Sequence, residues 1–182
     1  MAAFDLTSGT PVLTNWNPSP LVGGSIRGFE VSAAAIYVYG NFTSIRGKTR
    51  AGLAAFPHGS NTPNNWAPTT DVLLGNWYPM TQMNVYEDSV YLRGEFTQVN
   101  GVPRAGAAEV NTTTGALKSW DPNFATGSYT TALARVGGRV VVGGLDINTY
   151  SQYLVATDAS TGADLGILTP PSPTPTPTGS PT

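Results

Sequence analysis

Few side chains in this sequence could do chemistry. Eleven acidic residues, one histidine and no cysteine are spread over 182 residues. The missing cysteine removes thiolate nucleophiles, disulfides and Cys-ligated zinc together. His58 has no second histidine to act with, so it reads as a loop residue rather than a ligand or base. No Gly-x-Ser-x-Gly elbow, His-Glu-x-x-His pair or phosphate loop occurs. Glu87-Asp88 could form a carboxylate pair, but the same register holds Ala34-Ala35 and Gly137-Gly138, which reads as a hairpin tip. Asp146 and Glu95 remain the best acidic candidates if the chain were a glycan-active enzyme. Asp5, Asn111 and Asp158 each open an Asp/Asn-x-x-Thr/Ser-Gly turn, whose side-chain oxygen bonds nearby amides. That is too few oxygens for a calcium loop. Asn41-Phe42-Thr43 and Asn111-Thr112-Thr113 match the N-glycosylation pattern. The first reads as an accident of a recurring Phe-Thr.

Binding, rather than reaction, is the better supported chemistry. Trp16, Trp66 and Trp120 could stack sugar rings, yet their periodic placement assigns them first to the core or to contacts between units. Arg50 and Arg104 recur in register and are expected to cap carbonyls or pair with a neighbouring unit, with Asp121 as one acceptor. The non-periodic feature is an insertion in the second unit. Trp66 to Val90 is longer than Trp16 to Ile36 or Trp120 to Val140, and the added stretch contains Asn76-Trp77-Tyr78. Function in repeat proteins concentrates where the repeat is broken, so Asn76, Trp77 and Tyr78 are the ligand-binding candidates. The alternative is that Trp77 folds back onto its own unit.

These residues are positioned by a repeat. Ile36 to Gly52 and Val90 to Gly106 share a period-two strand, a glycine (Gly40, Gly94), Phe-Thr (Phe42-Thr43, Phe96-Thr97), a second glycine and Arg-Ala-Gly, in order and without a gap. Units begin near residues 1, 53, 107 and 154. Each is expected to hold four short strands: one ending in the Asx turn, one carrying Trp-x-Pro, a third near Ile26 to Val31, Met80 to Val85 and Thr130 to Arg135, and a fourth near Ile36 to Tyr39, Val90 to Arg93 and Val140 to Gly143. The fourth is closed by Gly40, Gly94 or Gly144. Unit three loses Phe-Thr and Arg-Ala-Gly after Gly144. The expected class is all-β: a β-propeller-like array of four-stranded antiparallel blades, about three units plus an extra hairpin at Leu154 to Leu168, forming an incomplete ring. A solenoid is the rival architecture, and hairpin turns argue against it. The expectation for the ring is that the chain is the C-terminal part of a longer propeller, or an arc completed by another copy or another chain.

The order Tyr-Val-x-Gly-x-Phe-Thr-x-x-x-Gly-x-x-Arg-x-x-Leu-Ala-Ala-Phe, followed by Trp-x-Pro, resembles the delta-60 type of β-propeller repeat of large bacterial secreted and surface proteins. It is more loosely similar to repeats of fungal cell-polarity surface proteins. The resemblance covers residues 1 to about 168. It implies a scaffold fold and no particular reaction.

Composition sets the compartment and partners. Charged residues make up only 11% and the net charge is -2, with no basic stripe for nucleic acid. Thr, Ser, Asn and Gly supply the polarity, which favours an extracellular or cell-surface location. No apolar run is long enough for a membrane span, and residues 1 to 17 lack the pattern of a signal peptide. Residues 169–182 form a Pro/Thr-rich segment read as a disordered linker that can carry O-glycans. The functional expectation is a non-catalytic scaffold or binding module of a larger multidomain protein, needing no cofactor or metal. Its partner would be a protein or glycan, with self-association through blade edges at Ala2 to Leu6 and Leu154 to Leu168. The alternatives are a glycan-active propeller enzyme and a structural assembly unit.

Overall fold

The computed structural model describes residues 4–5, 12–71 and 82–167. All the regular structure in these residues is β, in small antiparallel sheets. The first main sheet orders Ile26–Val31, Ala35–Gly40 and Leu53–Pro57, and the second orders Gln82–Tyr86, Ser89–Arg93 and Ala107–Asn111. The third has four strands in chain order: Ser128–Val136, Arg139–Asp146, Ser151–Asp158 and Asp164–Ile167. In the second sheet a bridge from Val110 to Leu117 stands where the third has its last strand. Phe4–Asp5 pairs with Val12–Leu13 as a separate hairpin.

This pairing corrects the expected phase of the units. Each main sheet takes two strands from one sequence unit and the next from the following unit, so the sheet straddles the unit boundary. The segment from Leu154 is therefore not an extra hairpin: Ser151–Asp158 pairs along its length with Arg139–Asp146 and completes the third sheet. A second correction concerns Trp16, Trp66 and Trp120, which lie in extended segments outside any strand. The Trp-x-Pro proline has no amide to offer a ladder, and the chain leaves the sheet before it.

Gly40 and Gly144 recur for a common reason. A Cβ on Gly40 would come within 2.1 Å of the Ser25 carbonyl oxygen, and one on Gly144 within 2.3 Å of that of Tyr129. Opposite each glycine the neighbouring strand carries a bulge, between Ile26 and Gly28 and between Thr130 and Ala132. The extra residue pushes the neighbouring backbone toward the glycine.

Phe-Thr and Arg-Ala-Gly build a side hairpin between the second and third strands of a sheet. Ser44–Ile45 pairs with Lys48–Thr49, and Gln98–Val99 with Val102–Pro103. Arg46 and Asn100 take φ near 50° before Gly47 and Gly101, the left-handed pair that a two-residue turn requires. Gly40 and Gly94 amides bond the Gly52 and Gly106 carbonyls and close each neck. In the third sheet this hairpin is missing. The two long strands continue instead to a tight turn at Asp146, whose Oδ1 accepts the Asn148 amide at 2.8 Å.

Candidate functional site

Three apolar clusters fill the spaces before, between and after the first two sheets, and each contains one tryptophan. Trp16 packs with Val38, Phe42, Ile45, Ala54 and Phe56. Trp66 packs between Tyr37 and Leu53 of the first sheet and Met83 and Leu92 of the second. Trp120 does the same between Tyr91 and Ala107 of the second and Val140 and Val142 of the third. Edge-on aromatic contacts recur with them: Tyr37 to Trp66 at 5.0 Å and Tyr91 to Trp120 at 5.2 Å between ring centroids. Trp66 and Trp120 are fully buried, so neither offers a face to a sugar. Asn76, Trp77 and Tyr78 lie outside the described residues.

The paired arginines serve the backbone. Arg50 donates from Nη2 to the Asn64 carbonyl at 2.6 Å and from Nη1 to that of Thr49 at 2.7 Å. Arg104 donates to the Pro103 carbonyl at 2.9 Å and pairs with Asp121 at 2.9 Å. Thr43 donates through its amide to the Val22 carbonyl, and the Thr97 amide is taken by Asp71 Oδ1 at 2.8 Å instead. Burial works against the Asp71 carboxylate, but hydrogen bonds from Thr97 and Gln98 outweigh it and hold its pKa below the usual value. His58 donates from Nε2 to the Ser32 carbonyl, 2.8 Å away, in an exposed loop. Asn111 and Asp158 cap their turns through the amides of Thr113, Thr114, Ser160 and Thr161. Asn41 Oδ1 accepts the Ser25 amide at 2.7 Å.

One group that sequence spacing does not reveal joins Ser89, Glu109 and Lys118. Lys118 Nζ lies 2.7 Å from Ser89 Oγ, 2.9 Å from Glu109 Oε1 and 3.2 Å from Asp88 Oδ2, and Ser89 Oγ also donates to Glu109. A serine within reach of a lysine has the spacing of a nucleophile and its base. Here the serine is fully buried. Burial penalises the Lys118 ammonium, but the hydrogen bonds and charges of Glu109 and Asp88 outweigh it and raise its pKa. The lysine is thus held as a cation, and the group is an ion-pair network with Ser89 and Glu109 buried and Lys118 and Asp88 reaching solvent. Glu87 and Asp88 stay at the hairpin tip, where Glu87 meets Arg135 at 3.5 Å.

The third interface differs from the others in a way that makes a cavity. Counting from the strand-closing glycine, Asp146 holds the register of Phe42 and Phe96, both buried. Where Phe42 with Ile45, and Phe96 with Val99, fill the first two interfaces, the third has no such buried pair, and Phe124, Tyr153 and Val155 are among the partly buried residues packed against its cluster. A cleft of about 400 Å³ opens there between the segment after Trp120 and the third sheet, lined by Asn123, Phe124, Asp146, Gln152, Tyr153 and Asp164 among others. The Phe124 and Tyr153 rings lie 5.1 Å apart at 48°. The loop is tied to the turn by Asn148 Nδ2 to the Thr126 carbonyl, 3.0 Å, and by the Ile147 amide to that of Gly127, 2.9 Å. The sequence singled out Asp146 as an acidic candidate and as the residue standing where the other units have phenylalanine, but gave no sign of the cleft. Glu95 does not line this cleft.

Comparison of the chain with family models, curated proteins and solved structures gives no match. The functional argument therefore stands on these residues.

Proposed function

We propose that this chain is a non-catalytic scaffold or binding module, a run of consecutive blades of a β-propeller-like array within a larger extracellular or cell-surface protein, with a protein or glycan as partner. The observation that carries this reading is one interface built repeatedly in the same register: a buried tryptophan, an edge-on tyrosine and the same strand positions from each sheet. Four antiparallel strands in chain order, as in the third sheet, is the strand plan of a propeller blade. The resemblance to delta-60 repeats and the Pro/Thr-rich segment support the extracellular setting. The recurring Arg, Trp and Thr side chains are occupied in holding the array together, which leaves them to architecture rather than turnover.

The test is turnover by the full chain on chromogenic glycosides, esters and peptides, with Ser89→Ala and Asp146→Asn as controls. No turnover is expected from any of the three. Turnover by the wild type that falls in either variant would overturn the non-catalytic reading. Protease treatment of intact source cells should release peptides of this chain, and their retention inside the cells would overturn the surface location.

A further inference from the structure

We infer that the cleft at the third interface is a binding site for one neutral saccharide unit. The inference rests on the binding-module reading and names its ligand class. Two independent features of the cleft point to this chemistry.

First, the space exists because the repeat is broken there. In the other two interfaces the side hairpin delivers a phenylalanine and a β-branched residue into the core, Phe42 with Ile45 and Phe96 with Val99. In the third the hairpin is replaced by a turn and the phenylalanine by Asp146. A gap left by an apolar pair would ordinarily be closed by collapse or by other apolar side chains. It is instead left open, with a wall that sets the polar groups of Asn123, Asp146, Gln152 and Asp164 beside apolar surface, and the bonds from Asn148 and Ile147 tie the turn to the facing loop. Its volume of about 400 Å³ falls in the range of small-molecule sites.

Second, the lining combines an apolar ring surface with planar polar groups. Phe124, partly exposed and braced at 5.1 Å by Tyr153, can take the C–H face of a pyranose ring. The side chains of Gln152 and Asn123 make no hydrogen bond among the described residues, and neither does Asp146 Oδ2. An amide offers both donor and acceptor, and a carboxylate can accept two vicinal hydroxyls. Asp164 is a second carboxylate at the wall, while no Lys, Arg or His lines the cleft among the described residues. Two carboxylates without a cation repel anions, so uronic acids and sulfated or phosphorylated sugars are excluded.

Saturation-transfer NMR on the full chain tests this with galactose, N-acetylglucosamine, methyl β-glucoside and cellobiose as neutral probes, and with glucuronate and galacturonate as anionic ones. At least one neutral probe should bind saturably, shifting the ring resonances of Phe124 and Tyr153, and the anionic probes should not. Phe124→Ala should weaken binding about tenfold, the worth of one aromatic contact. Gln152→Ala, an exposed change that leaves the melting temperature unaltered, should also weaken it. Asp146→Phe, which restores the residue of the other units, should abolish it. Absence of saturable binding by every neutral probe would overturn the inference and leave the scaffold reading standing. So would binding unaltered in both Phe124→Ala and Gln152→Ala, or uronates binding as well as neutral sugars. Hydrolysis of bound cellobiose would instead overturn the non-catalytic reading and leave the site in place.

Discussion

The indole Nε1 of Trp66 donates a 2.9 Å hydrogen bond to the main-chain carbonyl of Asn111, tying the segment that leaves the first sheet to the far edge of the second. Trp120 makes the corresponding reach into the third sheet through Thr157 Oγ1 at 3.2 Å. Replacing either indole by alanine should cost about 3–5 kcal/mol. Trp16, whose buried Nε1 has no hydrogen-bond partner among the described residues, should cost less. Urea midpoints of the three variants measure the order. Trp77→Ala is expected to cost far less than Trp120→Ala, and equal losses would remove the distinction between the periodic residues and the insertion.

Lys118 and Glu109 should behave as a coupled pair in which the carboxylate alone is buried. Lys118→Met leaves the Glu109 carboxylate, with a side chain 6% exposed, without its cation and should cost about 2–4 kcal/mol. Adding Glu109→Leu should return much of that loss, because the uncompensated charge is removed. A double-mutant cycle by urea melts decides it. An additive result would mean that the pair is not coupled.

Asp158 links stability to acid pH. Hydrogen bonds from the hydroxyls and amides of Ser160 and Thr161 hold its pKa down to about 2 from the ordinary 3.8. The folded value lies below the unfolded one, so this contribution is present above roughly pH 4 and is lost as pH falls toward roughly 2. The difference in urea midpoint between wild type and Asp158→Ala should accordingly shrink over that window. A difference that does not change with pH would contradict this.

Gly144 and Gly138 should respond in opposite ways to alanine. At Gly144 the new Cβ meets the Tyr129 carbonyl at 2.3 Å, whereas nothing lies within 4 Å of one at Gly138. Gly144→Ala should lose about 1–3 kcal/mol. Gly138→Ala should be neutral or slightly stabilising. Thermal melts separate the two.

Self-association through the outer face of the third sheet is the proposal carried by Leu154. It holds the register at which Leu53 and Ala107 are buried against the following sheet, and it is 50% exposed. Val155 points the other way, into the cluster of Trp120, so charging it would break the core and not the contact. If a second copy covers this face, sedimentation should be concentration-dependent in the wild type and monomeric in Leu154→Lys. A wild-type monomer throughout would sink the proposal.

What the sequence by itself determined is the local grammar of each unit. Gly40, Gly94 and Gly144 close a strand, Trp16, Trp66 and Trp120 follow it, and Asn111 and Asp158 turn the hairpin; the turns answer a constraint within a few residues, and the glycines and tryptophans answer contacts that recur with every unit, so each leaves a periodic mark in the sequence. The all-β class follows from the same pattern. The tertiary structure alone decided how the strands are shared, because backbone pairing runs from one unit into the next and Leu154 looks the same as the start of a new hairpin or the end of an old sheet. It also decided which faces meet, since period-two alternation marks Val155 and Leu154 as opposite without saying which has a neighbour. The Ser89, Glu109 and Lys118 network is assembled from three strands or strand ends distant in sequence. The cleft at Asp146 is an absence of side chains, and an absence has a shape only when the surrounding residues are in place.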